Sequence, residues 1–142
     1  MIPAAVETES YGVFELKIPA KAEWVAVARL AIAAVASRLR FSVDEIEDIK
    51  LAIAEACTHC IQHATGSDAI EITCEALSDS VQITVCDRGT APRSEDVEKL
   101  TSDDGRTEEL GVFLIRALMD KVEYTTDATN GTRLCMIKYV GV

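Results

Sequence analysis

The hydrophobic period of this chain switches between two residues and about 3.6, and the order of those switches limits the fold more than any other feature. Phe14, Leu16 and Ile18 alternate with Glu15 and Lys17, the pattern of a half-buried strand closed by Pro19. From Ala22 to Arg40 the period becomes helical. Trp24, Val27, Ala28, Ala31, Val35 and Leu39 fall on one stripe of an alanine-rich run. Ser42-Val43-Asp44-Glu45 then has the form of a capping box that opens a second helix. Its core face is Ile46, Ile49, Ile53, Ala56 and Cys60, and its opposite stripe is Asp48, Glu55, His59, Gln62 and His63. Thr65-Gly66-Ser67 ends it.

Alternation returns with Ile70, Ile72, Cys74 and Ala76, then Val81, Ile83 and Val85, turning at Ser78-Asp79-Ser80 and ending at Asp87-Arg88-Gly89. A third helix is expected over 110–122, with Leu110, Phe113, Leu114, Ala117 and Leu118 inward. A second hairpin pairs Val122, Tyr124 and Thr126 with Leu134, Met136 and Lys138 through Asn130-Gly131, a strong turn signal. Strands joined by hairpins favour antiparallel pairing, and three amphipathic helices need one face of the sheet. The expected architecture is an α/β (α+β) two-layer sandwich: a mixed, mostly antiparallel sheet with three helices on one face.

At 142 residues the chain is expected to be one domain, 1–142, with a flexible N-terminus over 1–11. The polar stretch 90–109, with Pro92, Gly105 and a short helix expected around Ser94–Leu100, is too long for a plain connection and is expected to be a lid. Fourteen basic against 24 acidic residues leave a net charge of −10. That charge repels phosphate backbones and anionic lipid, so nucleic acid and membranes are not expected partners. A small phosphorylated ligand needs only a few local donors and remains allowed. No run of 18 uncharged apolar residues occurs, and Met1–Tyr11 lacks the marks of a secretory signal. With Cys57, Cys60, Cys74, Cys86 and Cys135 scattered through apolar segments, a cytoplasmic protein with reduced core thiols is expected.

Four features could carry chemistry. Glu55, His59 and His63 recur every fourth residue on one helix face, a carboxylate beside imidazoles that suits a general base, or a solvated face with an ion pair. Asp87 at a strand end, two before Gly89, could accept from an exocyclic amine while the backbone passes close to a ring, or could simply be a turn. Leu110-Gly111 at a helix start after Gly105 and Arg106 could receive a phosphate on exposed amides, or could be an ordinary helix start with a small residue. Cys57-Thr58-His59-Cys60 has the CxxC spacing of a redox or zinc motif. It lies deep in a helix, however, and no second ligand pair matches it.

Taken in order, these pieces resemble a known family. A helix with Glu55-Ala56-Cys57-Thr58 and His63, a strand ending Asp87-Arg88-Gly89, a lid, and Leu110-Gly111 before a helix ending Leu118-Met119-Asp120 are similar to the anti-sigma-factor serine-protein kinases of the GHKL ATPase superfamily. Leu16-Lys17-Ile18-Pro19-Ala20 and Asp44-Glu45-Ile46-Glu47-Asp48-Ile49-Lys50 extend the resemblance, which runs from about Phe14 to Tyr139. It implies the ATP-binding fold of that superfamily, with ATP and Mg2+ as cofactors. Glu55 is implied as the catalytic glutamate. Nucleotide contacts are implied at His59, His63, Asp87, Gly89, Arg106, Gly111 and Thr132, and a protein-partner contact at Arg29. The implied partners are a sigma factor, an anti-anti-sigma protein of the STAS type as phosphorylation substrate, and a second copy of the chain.

Two features depart from the family pattern. Its asparagine, which would offer Mg2+ an oxygen, is His59 here, and imidazole is a poor ligand for that hard ion. The phosphate loop carries Glu108-Glu109, each repelling a triphosphate by on the order of 1 kcal/mol at surface dielectric. An active kinase, a catalytically weak or dead partner-binding module, and a metal or thiol-redox protein are therefore the three readings that follow from the sequence.

Overall fold

In the computed structural model the residues described are 9–63, 69–87, 105–127 and 131–141, apart from the side chains of 63, 105–110 and 126–127. The capping box forms as its residues require. Ser42 donates its backbone N–H to Glu45 Oε1 at 2.8 Å, and Glu45 returns its own N–H to Ser42 Oγ at 3.1 Å. From there α2 (Val43–His63) runs for 21 residues. Its core face is the expected one: Ile49, Ile53, Ala56 and Cys60 are buried, joined by Ala52 and Cys57, with Ile46 packed at the margin.

The strands are β1 (Ser10–Pro19), β2 (Ala69–Leu77), β3 (Ser80–Asp87), β4 (Lys121–Asp127) and β5 (Gly131–Tyr139). They form one sheet in the order β1-β2-β3-β5-β4, and all four pairings are antiparallel. Period-two patterning sets the register. Leu16 pairs with Ile72, Ile72 with Val85, Val85 with Leu134 and Leu134 with Tyr124, so one apolar row crosses the sheet beneath the helices. Gly12, at φ +150°, accommodates a bulge where the β1 register shifts. Gly131, at φ +83°, opens β5 opposite Asp127, a left-handed conformation that glycine adopts at no steric cost.

Two helices differ from the expectation. In place of one helix over 22–40, a 3-10 turn (Ala22–Trp24) leads into α1 (Val25–Ala36), and tight bonds from the N–H of Arg38 to Val35 O and of Leu39 to Ala36 O close the end. The buried stripe is Val25, Ala28, Ile32 and Ala36; Trp24 and Val27 are exposed. Between its ends α1 carries a single charge, Arg29, so its pattern marks no unique inner face, and the large Ile32 takes the core position. The third helix, α3 (Gly105–Leu118), starts five residues before Leu110 and ends before Val122. Acidic Glu108 and Glu109 suit the positive end of a helix, which lets the helix begin earlier than a lid reading of them allows.

The far end of α3 is pinned by hydrogen bonds. Lys138 Nζ donates to Leu118 O at 2.7 Å and lies 3.8 Å from Asp48 Oδ2, while Tyr139 donates its N–H to Asp120 Oδ2 at 2.6 Å. The three helices cover one face of the sheet, and the core lies between these two layers. No helix of the described residues is long and apolar enough to cross a membrane.

Candidate functional site

β3 ends at Asp87, which is fully buried. Alternation gives the reason: Val81, Ile83 and Val85 face the helices, and Asp87 is the next residue on that side. Cys86 pairs with Arg133 on β5, so Thr132, also buried, sits one step beyond that pair beside the end of β3. An aspartate and a threonine thus share the helix-facing side at one end of two central strands. Buried polar groups are retained where they have partners to meet.

The C-terminal half of α2 lies over this end. Burial pushes the Cys60 thiol far up, and the nearby Cys57, Asp87 and Cys86 add to the shift. His59, one residue earlier, is only 5% exposed. Its Nε2 lies 3.3 Å from the hydroxyl of Tyr124 on β4, and the two rings meet edge to face at 5.2 Å and 87°. Glu55 stands one turn before His59 and is half-buried. The stripe expected as either a catalytic or a solvated face is therefore turned inward at His59 and partly covered at Glu55. His63 is the last residue of α2, and its side chain lies outside the described residues.

Gly111 corrects one expectation. It is the seventh residue of α3 and not at its N-terminus, so the amides that begin this helix belong to the turn of Gly105 and Arg106. A Cβ built on Gly111 meets nothing within 4 Å among the described residues, so their packing does not require glycine there. The Arg106 side chain, Gly89, residues 90–104 and the short helix expected near Ser94–Leu100 lie outside the described residues. Arg29 is on α1 and flanks the core stripe, one turn after Val25. Its guanidinium is half-buried, and Nε has no hydrogen-bond partner among the described residues.

The CxxC reading fails on burial. Cys57 and Cys60 lie in the core, and loss of solvation alone pushes Cys57 up to about 12; Cys74 is raised to about 12 in the same way. Thiolate, the form that attacks disulfides and binds metal, is scarce at such values. All five thiols are free, and among the described residues no three His, Cys, Asp or Glu side chains converge on a metal position.

The same donor set decides how the implied cofactors fit. Asp87 and Thr132 provide a buried acceptor and a hydroxyl at a strand end, which suits a nucleobase edge, and the bare Cα of Gly111 leaves room for close approach. Mg2+ does not fit residue 59: it needs oxygen ligands, and this position offers an imidazole already in contact with a phenol. Sequence reasoning missed Tyr124 as a member of the site. Its only signal was an aromatic residue with a polar tip at an inward position of β4, opposite Leu134.

Comparison with known proteins places the chain. The model of the histidine kinase-like ATPase domain matches residues 18–138. A serine-protein kinase RsbW from Bacillus cereus is 39% identical, over 93% of this chain and 88% of the relative. A serine-protein kinase RsbW from Bacillus mycoides is 38% identical with the same coverage. The histidine kinase domain of the Erythrobacter litoralis EL346 blue-light activated histidine kinase superposes with a TM-score of 0.52 at 19% identity, over 85% of this chain and 61% of that one, a likeness of fold. With these matches over nearly its whole length, the chain belongs to the histidine kinase-like ATPase family, among its RsbW-like members.

Proposed function

We propose that this chain is an ATP-dependent protein serine kinase that also acts as an anti-sigma factor, binding a sigma factor and phosphorylating a small anti-anti-sigma protein of the STAS type. The observation that carries the reading is Asp87, an acid fully buried at the end of a central strand, beside Thr132 and under the α2 turn that follows Glu55. The relatives named as serine-protein kinases support the same activity.

In this reading Asp87 accepts a hydrogen bond from the exocyclic amine of adenine, with Thr132 and Gly89 beside the ring. Gly111 and Arg106 meet the phosphates, with His59 and His63 on the α2 side of the site. Glu55 orients the attacking serine hydroxyl and takes its proton as the serine oxygen bonds to the γ-phosphorus and ADP leaves. Holding both reactants in line is the larger part of such catalysis, and the two-layer frame supplies it. Arg29 is proposed as a partner contact. It lies next to Leu30, which is 68% exposed on the outer side of α1. The proposal extends to a homodimer located in the cytoplasm, and light scattering across a concentration series tests the dimer.

The central test is transfer of label from γ-labelled ATP to the serine of a STAS-type partner. Transfer is expected with the wild type and is abolished in Glu55→Ala. A second reading, capture of partners with little turnover, is favoured by one observation: His59 meets Tyr124 and offers no oxygen donor. It predicts a stable complex with the partner and no ADP release above background.

A further inference from the structure

His59 and Tyr124 come from opposite layers and from positions 65 apart in the chain, and their polar contact bridges helix and sheet. The imidazole is buried and its ring plane is set by the edge-to-face contact, while Nε2, the nitrogen farther from the helix backbone, lies 3.3 Å from the phenol. A metal ion approaching residue 59 must displace that phenol or use Nδ1, the nitrogen nearer the main chain. In either case it meets nitrogen where Mg2+ prefers oxygen. Tyr124 is no substitute ligand, because a neutral phenol is a weak donor to Mg2+ and its oxygen is engaged with the ring.

We propose that Tyr124 is a positioning residue that fixes His59 through Nε2, and that this chain consequently binds nucleotide without a metal ligand from α2. Any Mg2+ carried on the triphosphate gains no protein ligand at residue 59, so free and metal-loaded nucleotide bind alike. The proposal rests on the nucleotide reading above. It goes beyond that reading by assigning Tyr124 a role and by setting the metal dependence.

The test uses the full chain as wild type, Tyr124→Phe and His59→Asn. Calorimetry measures ATP affinity in EDTA and in excess Mg2+, and nitrogen-15 spectroscopy reads the His59 ring. Wild-type affinity is expected to agree within about threefold between the two buffers, whereas His59→Asn, which restores an oxygen donor, is expected to gain about tenfold or more with Mg2+. Tyr124→Phe is expected to move the Nε2 resonance and to weaken ATP binding by about threefold or more, equally in both buffers. The spectral change separates this role from simple packing, since loss of one hydroxyl leaves the phenyl ring in place.

Wild-type binding tightened by more than about threefold on adding Mg2+ overturns the metal claim. An unmoved Nε2 resonance in Tyr124→Phe overturns the positioning claim. Failure of ATP to bind in either buffer overturns the nucleotide reading and the metal claim with it. That outcome is distinguishable, because the Nε2 resonance still reports on Tyr124.

Discussion

The two halves of α2 follow opposite rules. Its first half follows the main local preferences: a reciprocal capping box, isoleucines facing the core, and Asp48 exposed enough to pair with Lys138. Even the chain end conforms. A Cβ at Gly141 would come within 2.5 Å of Glu45 Oε2, so a larger residue there would press on the far end of the capping carboxylate. The second half buries an imidazole and two thiols above a buried aspartate. Local propensity explains none of that. Natural chains break the rules of consistency chiefly where a site requires it, so the contrast within one helix locates the site as well as any motif does.

The strongest attempt to break this contrast is a cavity in the first half. Ile53 is fully buried, and Ile53→Ala is expected to lower unfolding free energy by roughly 2–5 kcal/mol in urea denaturation. A loss below about 1 kcal/mol would mean that this face does not hold the two layers together. Asp87→Asn comes next. The amide keeps the size of the carboxyl but trades one of its two acceptor oxygens for an NH2 donor and removes the charge that strengthens the bond to the adenine amine. ATP affinity is expected to fall by about 100-fold or more in calorimetry, because a site built for a hydrogen bond strongly rejects a mismatch. Unchanged affinity would remove Asp87 from the nucleotide reading.

Ser42→Ala sharpens the comparison from the other side. It removes the hydroxyl that accepts the Glu45 N–H and is expected to cost about 1 kcal/mol of stability while leaving ATP affinity unchanged. A large change in affinity would show that the two halves of α2 are coupled.

The parts of the molecule legible in the sequence are those where one pattern has one solution. Period-two runs with tight turns fixed the strands around Ile72, Ile83 and Leu134, and Ser42 with Glu45 announced the start of α2. The α1 face was misread because a helix of alanine and valine with one charge is compatible with several rotations, and only the packing of Ile32 selects among them. The start of α3 was misread because glutamates serve a lid and a helix N-terminus equally well. Asp87 could be suspected from its place at a strand end, but its full burial depends on the register of β3 against β5. Tyr124 was invisible as a partner of His59 because no local pattern encodes a contact between the edge strand and the middle helix.

The smallest expected effect is also the one whose sign separates stability from function. Gly111 lies in the interior of α3, where glycine is a poor helix former, and a methyl group there would touch nothing among the described residues. Gly111→Ala should therefore stabilise the ligand-free protein by roughly 0.5–1 kcal/mol, read as a higher urea midpoint. If the bare Cα exists so that a phosphate can come close, the same methyl group must weaken ATP binding, and the change would raise stability while lowering affinity. A residue kept only for packing cannot produce that pair of signs. Should both rise together, or affinity stay fixed while stability rises, the glycine has no part in holding nucleotide, and the phosphate contact must lie elsewhere on the N-terminal turn of α3.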